Sequence, residues 1–246
     1  MATYDTAFFS YTDQCAQQSA EIVLRVMKDF FPVASVADFG CGNGSWLAAW
    51  QKLGVCDCVG VDGEYVDRGM LLINDADFVA ADLRQPVRLD RRFDLVQSLE
   101  VAEHLPKNSA EIFVDTLVSH GDIVLFSAAA PGQGGLQHVN EQPYSYWRAL
   151  FYSRGYEMLD AIRPQIRHEA KVQPWYRFNT FVFVRKTVLA SLPEQVIAAR
   201  LPEGRPIPDI SPPLYRLRKA VLWPLPVFVI NRLSVLHARW VQWKNP

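Results

Sequence analysis

The chain predicts an α/β fold: a mainly parallel sheet with helices on both faces, followed by a proline-linked helical appendage. Three observations predict it. Short runs rich in Val, Ile and Phe alternate with stretches of helical period, the signature of repeated strand–helix units. The first such run passes directly into a glycine-rich turn and then a helix. Proline crowds the end, with 9 of the 16 prolines lying after residue 190.

Taken in order, residues 17–31 (QQSAEIVLRVMKDFF) place Ile22, Val23, Val26, Met27 and Phe30 at helical spacing, and Pro32 ends the helix. SVADFG reads as a buried strand and SWLAAWQKLG as a helix stopped by Gly54. CDCVGVDG, ADFVAADL and FDLVQSL are the next three strands. The helix AEIFVDTLVSH leads into a fifth strand, GDIVLFSAAA, and YSYWRALFYSRGY is a helix closed by Gly155. YEMLDAIRP and RFNTFVFVRK are the last strands. The stretch joining them shows no clear helix, so they predict an antiparallel hairpin at the sheet edge. A body of residues 1–190, opening with an N-terminal helix or lid over 1–33, is then followed by 191–246. There LPEGRPIPDISPP is an extended linker and LYRLRKAVLWPLPVFVINRLSVLHARWVQW a basic, aromatic and apolar appendage.

The 246 residues are half hydrophobic with a net charge of −1, so overall charge carries no nucleic-acid signal. The charge is uneven, however. From Arg200 onward eight Lys and Arg residues face two acids, Glu203 and Asp209, leaving the body acidic and the tail basic. Cys15, Cys41, Cys56 and Cys58 form no CxxC pair, which predicts reduced thiols in a cytoplasmic protein. MATYDTAFFSYTDQC lacks the basic start of a signal peptide, and the longest apolar run, AVLWPLPVFVI, is too short to span a bilayer.

The turn after the first strand is Asp38-Phe39-Gly40-Cys41-Gly42-Asn43-Gly44. Alternate glycines let the backbone approach a ligand closely. The spacing is GxGxG rather than GxGxxG, and no GK[ST] follows, so neither a dinucleotide fingerprint nor a phosphate loop fits. Asp62 ends the second strand about 20 residues later, where a carboxylate accepts ribose hydroxyls. DFGCGNG, VGVDG, AADL and FDLVQSLEVAEHLP, in that order, resemble the class I S-adenosylmethionine-dependent methyltransferases, in their type 11 and type 23 forms. The resemblance covers roughly residues 35–186. It implies a Rossmann-like seven-stranded mixed sheet whose last strand is antiparallel, with S-adenosyl-L-methionine as cofactor. By that resemblance Asp38, Gly40, Cys41, Gly42 and Gly44 line the methionine part, Asp62 and Gly63 hold the ribose, Asp82 and Leu83 flank the adenine, and Ser98 and Leu99 lie under the sulfonium.

SLEVAEHLP poses the catalytic question. Glu100, Glu103 and His104 share one face if the segment is helical, and they begin where the fourth strand ends, beside the methyl donor. His138 comes from the loop after the fifth strand. Two readings stay open. His104 or His138, with Glu103 beside them, is a general base for an attacking hydroxyl. Alternatively Glu100, Glu103, His104 and His138 hold Mg²⁺ or Mn²⁺, which lowers the pKa of the acceptor oxygen. The Glu, Glu, His and distant His arrangement is similar to that of small-RNA 3′-terminal 2′-O-methyltransferases, and its ExxEH part to that of ubiquinone-pathway O-methyltransferases.

Around the acceptor, Tyr4, Phe8, Phe9 and Tyr11 offer a closing segment, and the loop after strand five offers Gln137, His138, Asn140 and Glu141. Trp175, Tyr176 and Arg177 offer a stacking surface, or simply edge packing. This mixture suits a small-molecule or carbohydrate hydroxyl. An RNA 3′ end, or a scaffold that binds the cofactor without chemistry, is the alternative. Trp223, Trp240 and Trp243 in the basic tail predict packing back on the body or on a second copy, or else peripheral contact with the inner membrane face.

Overall fold

A computed structural model of the chain describes residues 6–226, 229–230 and 232–233, with side chains from Cys15 onward. Tyr4, the side chains of Phe8, Phe9 and Tyr11, and Trp240 and Trp243 therefore lie outside the described residues.

Seven strands form one sheet: β1 (Ser35–Phe39), β2 (Asp57–Asp62), β3 (Phe78–Ala80), β4 (Leu95–Leu99), β5 (Ile123–Ser127), β6 (Tyr156–Leu159) and β7 (Phe181–Arg185). Their order is β3-β2-β1-β4-β5-β7-β6. All neighbours are parallel except β7, which runs antiparallel to both β5 and β6. The order reverses between β1 and β4, which opens a crevice beyond their carboxyl ends.

Alternation along each strand assigns the two cores. On one face Val36, Leu95, Leu125 and Val182 pack with Val23, Leu24 and Met27 of α1 (Thr6–Phe30) and Leu47 and Trp50 of α2 (Ser45–Lys52). On the other, Ala37, Val96, Phe126 and Phe183 meet Phe113, Val114 and Leu117 of α3 (Ala110–His120), with Trp147 and Phe151 of α4 (Tyr144–Tyr152). Phe151 and Phe183 stack with centroids 3.9 Å apart. At about 25 cal/mol per Å² of apolar surface, burial of these rings is the main force holding the helices to the sheet.

Two expectations need correction. The last two strands do pair antiparallel at the sheet edge, with β6 outermost, but their connection is not helix-free: it folds into α5 (Arg163–Ile166) and α6 (Pro174–Asn179). These helices of 4 and 6 residues are too short for a periodicity of 3.6 to show them. SLEVAEHLP is not an α-helix either. Strand β4 runs to Leu99, Glu100 turns the chain with φ +58°, and only Ala102–His104 coils, as a 3₁₀ turn. The Glu100 amide is fixed by the carbonyl and hydroxyl oxygens of Ser127, each 3.0 Å away, and that anchorage offsets the left-handed backbone.

After β7 come α7 (Lys186–Leu189), α8 (Glu194–Ala198) and α9 (Pro213–Leu222). Residues 199–201 run beside the edge strand: Leu201 N donates to Met158 O and Asp160 N to Ala199 O. The proline-rich segment is held down by buried arginines. Arg148 donates to the carbonyls of Pro202 and Arg205, and Arg163 to that of Pro208. Among the described residues no helix is long and apolar enough to cross a membrane.

Candidate functional site

The chain turns sharply at the end of β1. Gly40 has φ +90°, and a Cβ there would overlap the methyl groups of Val101. Only glycine allows the β1–α2 loop and the post-β4 turn to approach this closely. The loop is then pinned to the end of β2: Gly40 N donates to Val61 O at 2.7 Å and Gly42 N to Asp62 Oδ2 at 2.7 Å. Asp62 also accepts from its neighbour Gly63 N (2.7 Å) and from the Tyr65 hydroxyl. The Tyr65 phenol is held in its protonated form by burial and the carboxylate beside it.

These groups border a cavity of about 850 Å³ at the switch point. Of the predicted cofactor residues, Gly40, Gly42, Asp62, Gly63, Asp82 and Leu83 line it. Asp82 is engaged by Arg84 through two side-chain hydrogen bonds of 2.8 Å, which hold its pKa down. Asp38, Cys41, Gly44, Ser98 and Leu99 stand behind the wall rather than on it. Asp38 accepts from Gln97 Nε2 (2.9 Å), and Gln97 Oε1 accepts from the Trp50 indole (2.9 Å). Burial, reinforced by Asp62, raises the Asp38 carboxyl to about 7. Burial also pushes the Cys41 thiol far up, leaving it inert. Ser98 is fully buried and its hydroxyl has no partner. Gln97, Trp50 and Tyr65 escaped the sequence reading. The signal for Gln97 was a polar residue in the middle of a buried strand.

The opposite wall is Glu100, Val101, His104, Leu105 and Gln137. Glu100 lies beside Glu103 but is engaged by other partners. Its carboxylate accepts from Gln133 Nε2 (2.7 Å) and Asn179 Nδ2 (3.3 Å), and Asn179 Nδ2 also reaches Gln133 Oε1 (2.6 Å). Burial raises its pKa, and these hydrogen bonds partly offset the rise. Gln133 and Asn179 are further residues that sequence reasoning missed.

Glu103, His104 and His138 do come together, each offering a ligand atom within 4.8 Å of the others. The two imidazoles meet edge to face with centroids 4.9 Å apart. Glu103 is 1% exposed and neither carboxylate oxygen has a partner. Burial and the nearby Glu100 carboxylate raise its pKa well above the ordinary range. His104 lines the cavity as an exposed residue. Desolvation, and then His138, shift its pKa below the ordinary histidine value. His138 Nδ1 lies 2.8 Å from Glu141 Oε1, and the Glu141 carboxylate also accepts the amides of Gly132 and Gly134 at 2.8 Å. Glu141 thus orients the ring through Nδ1 and leaves Nε2 for other work. The chemistry of this donor set, one orphaned carboxylate and two imidazoles, fits a divalent cation. Trp175 stays partly exposed, whereas Tyr176 packs edge-on against Trp46 at 4.9 Å, so the predicted stacking surface is divided.

A family model described as a methyltransferase domain matches residues 11–153. No curated protein sequence matches the chain. Solved structures that share the fold include the following three. A magnesium protoporphyrin IX methyltransferase from Synechocystis PCC 6803 with bound S-adenosylmethionine is 21% identical, with TM-score 0.53 over 75% of this chain and 86% of that one. A sugar N-methyltransferase from Streptoalloteichus is 16% identical, with TM-score 0.55 over 76% and 95%. An amino pentose methyltransferase from Micromonospora echinaspora, also with S-adenosylmethionine bound, is 14% identical, with TM-score 0.51 over 75% and 98%.

Proposed function

The chain belongs to the methyltransferase domain family, and from that premise we propose that it methylates a hydroxyl oxygen on a small molecule or sugar. It is an enzyme, and its methyl donor is S-adenosyl-L-methionine, which supplies the methyl group on a sulfonium sulfur. Asp62 accepts the ribose hydroxyls in exchange for the Tyr65 hydroxyl, the glycine backbone of the β1–α2 loop borders the amino-acid end, and Leu83 offers the adenine an apolar wall. The observation that supports an oxygen acceptor is the meeting of Glu103, His104 and His138 across the cavity from Asp62. An alcohol must lose its proton as it attacks carbon, and this cluster provides for that.

Two versions of the proton step are each favoured by an observation. The Glu141–His138 hydrogen bond favours a histidine base: the carboxylate fixes the ring through Nδ1 and leaves Nε2 toward His104, which lines the cavity. The two unpartnered oxygens of Glu103 favour a divalent cation held by Glu103, His104 and His138, which would polarise the acceptor oxygen as a Lewis acid. Glu100, bound to Gln133 and Asn179, then shapes the acceptor wall instead of ligating.

The test is methyl transfer from radiolabelled donor to panels of sugars, phenols, amines and RNA 3′ ends, with and without EDTA. Labelled sugar or phenol ether supports the reading, whereas labelled amine or RNA with no ether refutes it. Activity abolished by EDTA and restored by Mg²⁺ or Mn²⁺ selects the cation version, and EDTA-resistant activity selects the histidine version. Calorimetry with S-adenosylhomocysteine separates all of these from a cofactor-free scaffold.

A further inference from the structure

We propose that α9 is a docking element for an anionic lipid bilayer. The two sides of this helix are unlike. Its inner side is tied to the body: Tyr215 packs against Phe178 with centroids 5.5 Å apart, and Lys219 Nζ pairs with Asp209 at 2.6 Å. Arg218 Nη1 donates to Gln133 O at 2.9 Å. A Cβ on Gly132 would overlap the Lys219 carbonyl, so helix and loop are in direct backbone contact. On the outer side Leu214, Leu217 and Val221 recur at i, i+3 and i+7 and are 80%, 61% and 59% exposed. Trp223, 71% exposed, lies on the other side of the helix, with Arg216, Lys219 and Ala220 along a groove against Ala130, Pro131 and Tyr144. A stripe of large apolar side chains at helical spacing, facing water, needs a covering surface.

Charge selects the occupant. Exposed Arg216 and Arg218 lie on either side of the stripe, Arg218 with one guanidinium nitrogen on Gln133 O; no acidic residue follows Asp209, and Asp209 is neutralised by Lys219. A helix with an apolar face and basic flanks lies in the plane of an anionic bilayer, its leucines and valine among the acyl chains and its basic side chains at the phosphates. A second copy of the chain fits less well. A two-fold contact through this stripe would set Arg216 and Arg218 against their own images. RNA fits less well too, because leucine and valine offer bases no stacking partner. The inner side of α9 holds the loop that carries His138 through Gly132 and Gln133.

The experiment is flotation of the full chain with vesicles of phosphatidylcholine alone and with about one third phosphatidylglycerol. Recovery with the anionic vesicles should exceed that with neutral ones by about tenfold and fall in high salt. The double variant Leu217→Glu, Val221→Glu should lose about tenfold or more of that recovery. Its circular dichroism and its affinity for S-adenosylhomocysteine should match the parent, since both side chains are exposed. Arg216→Gln should give an intermediate loss of about fivefold. Three results would overturn the proposal: no recovery with anionic vesicles; equal recovery of the parent and the double variant; or a dimer in solution that the double variant dissolves while neither form floats. Retention by a short single-stranded RNA in place of vesicles would also overturn it.

Discussion

At the carboxyl ends of β1 and β2, two short stretches of chain supply the proposed donor wall: Gly40 and Gly42 from one, Asp62 and Gly63 from the other. At the ends of β4 and β5 the proposed acceptor wall is assembled from side chains that lie far apart in the sequence. Glu100, Glu103 and His104 come from one turn, Gln133, His138 and Glu141 from a second loop, and Asn179 from α6, with Arg218 of α9 holding the second loop in place. The difference teaches where specificity can change. Backbone that must approach a fixed cofactor tolerates few sequences, whereas a wall of side chains on loops can be rebuilt residue by residue.

The sharpest way to break this contrast is at the acceptor wall. His138→Ala should lower turnover by about 10²–10⁴-fold while leaving S-adenosylhomocysteine affinity within about threefold, as read by steady-state kinetics and calorimetry. An equal loss of both would mean that the two walls are one unit. Next in size is Asp62→Ala on the donor side. Asp62 holds the Gly42 and Gly63 amides as well as facing the ribose position, so donor affinity should weaken about 100-fold, the worth of two hydrogen bonds to a charged group. The buried Asp38 offers a third handle. Its carboxyl titrates at about 7 in the fold but near 3.9 in the unfolded chain. Between those values the fold keeps a proton that the unfolded chain releases. Stability is therefore greatest at the low end of this window and falls as pH rises through it, by up to about 4 kcal/mol. Glu103 acts in the same direction. Urea unfolding at about pH 5 and about pH 8 should show the decline, and Asp38→Asn should flatten it. The smallest effect is expected from Arg218→Ala. Loss of one hydrogen bond to Gln133 O should reduce turnover about three- to tenfold without changing donor affinity.

Legibility followed the same division. The strands, α1 to α4, the antiparallel β7, the glycine turn after β1 and the place of Asp62 at the end of β2 could be read directly, because each depends on local periodicity or on contiguous residues. The acceptor side could be read only in part. His104 and His138 were visible as residue types at strand ends. The segment from Glu100 to His104 is a left-handed residue and a 3₁₀ turn instead of a helix, because the Glu100 amide is anchored on Ser127. Gln133, Glu141 and Asn179 owe their roles to loops whose meeting no local pattern encodes. The outer stripe of α9 could be read as amphipathic, but which of its sides faces the body depends on Phe178 and Asp209, residues that lie outside the helix itself.

The hydroxyl of Tyr65 rests on Asp62, where the ribose is expected to bind. A resting enzyme that fills this place with its own phenol carries a placeholder, and an incoming nucleoside has to evict it. Donor capture then becomes a two-stage event, with an observed rate that levels off at the swing-out rate of one side chain instead of climbing with concentration. Replacing that tyrosine by phenylalanine would remove the plateau and leave a simple bimolecular encounter.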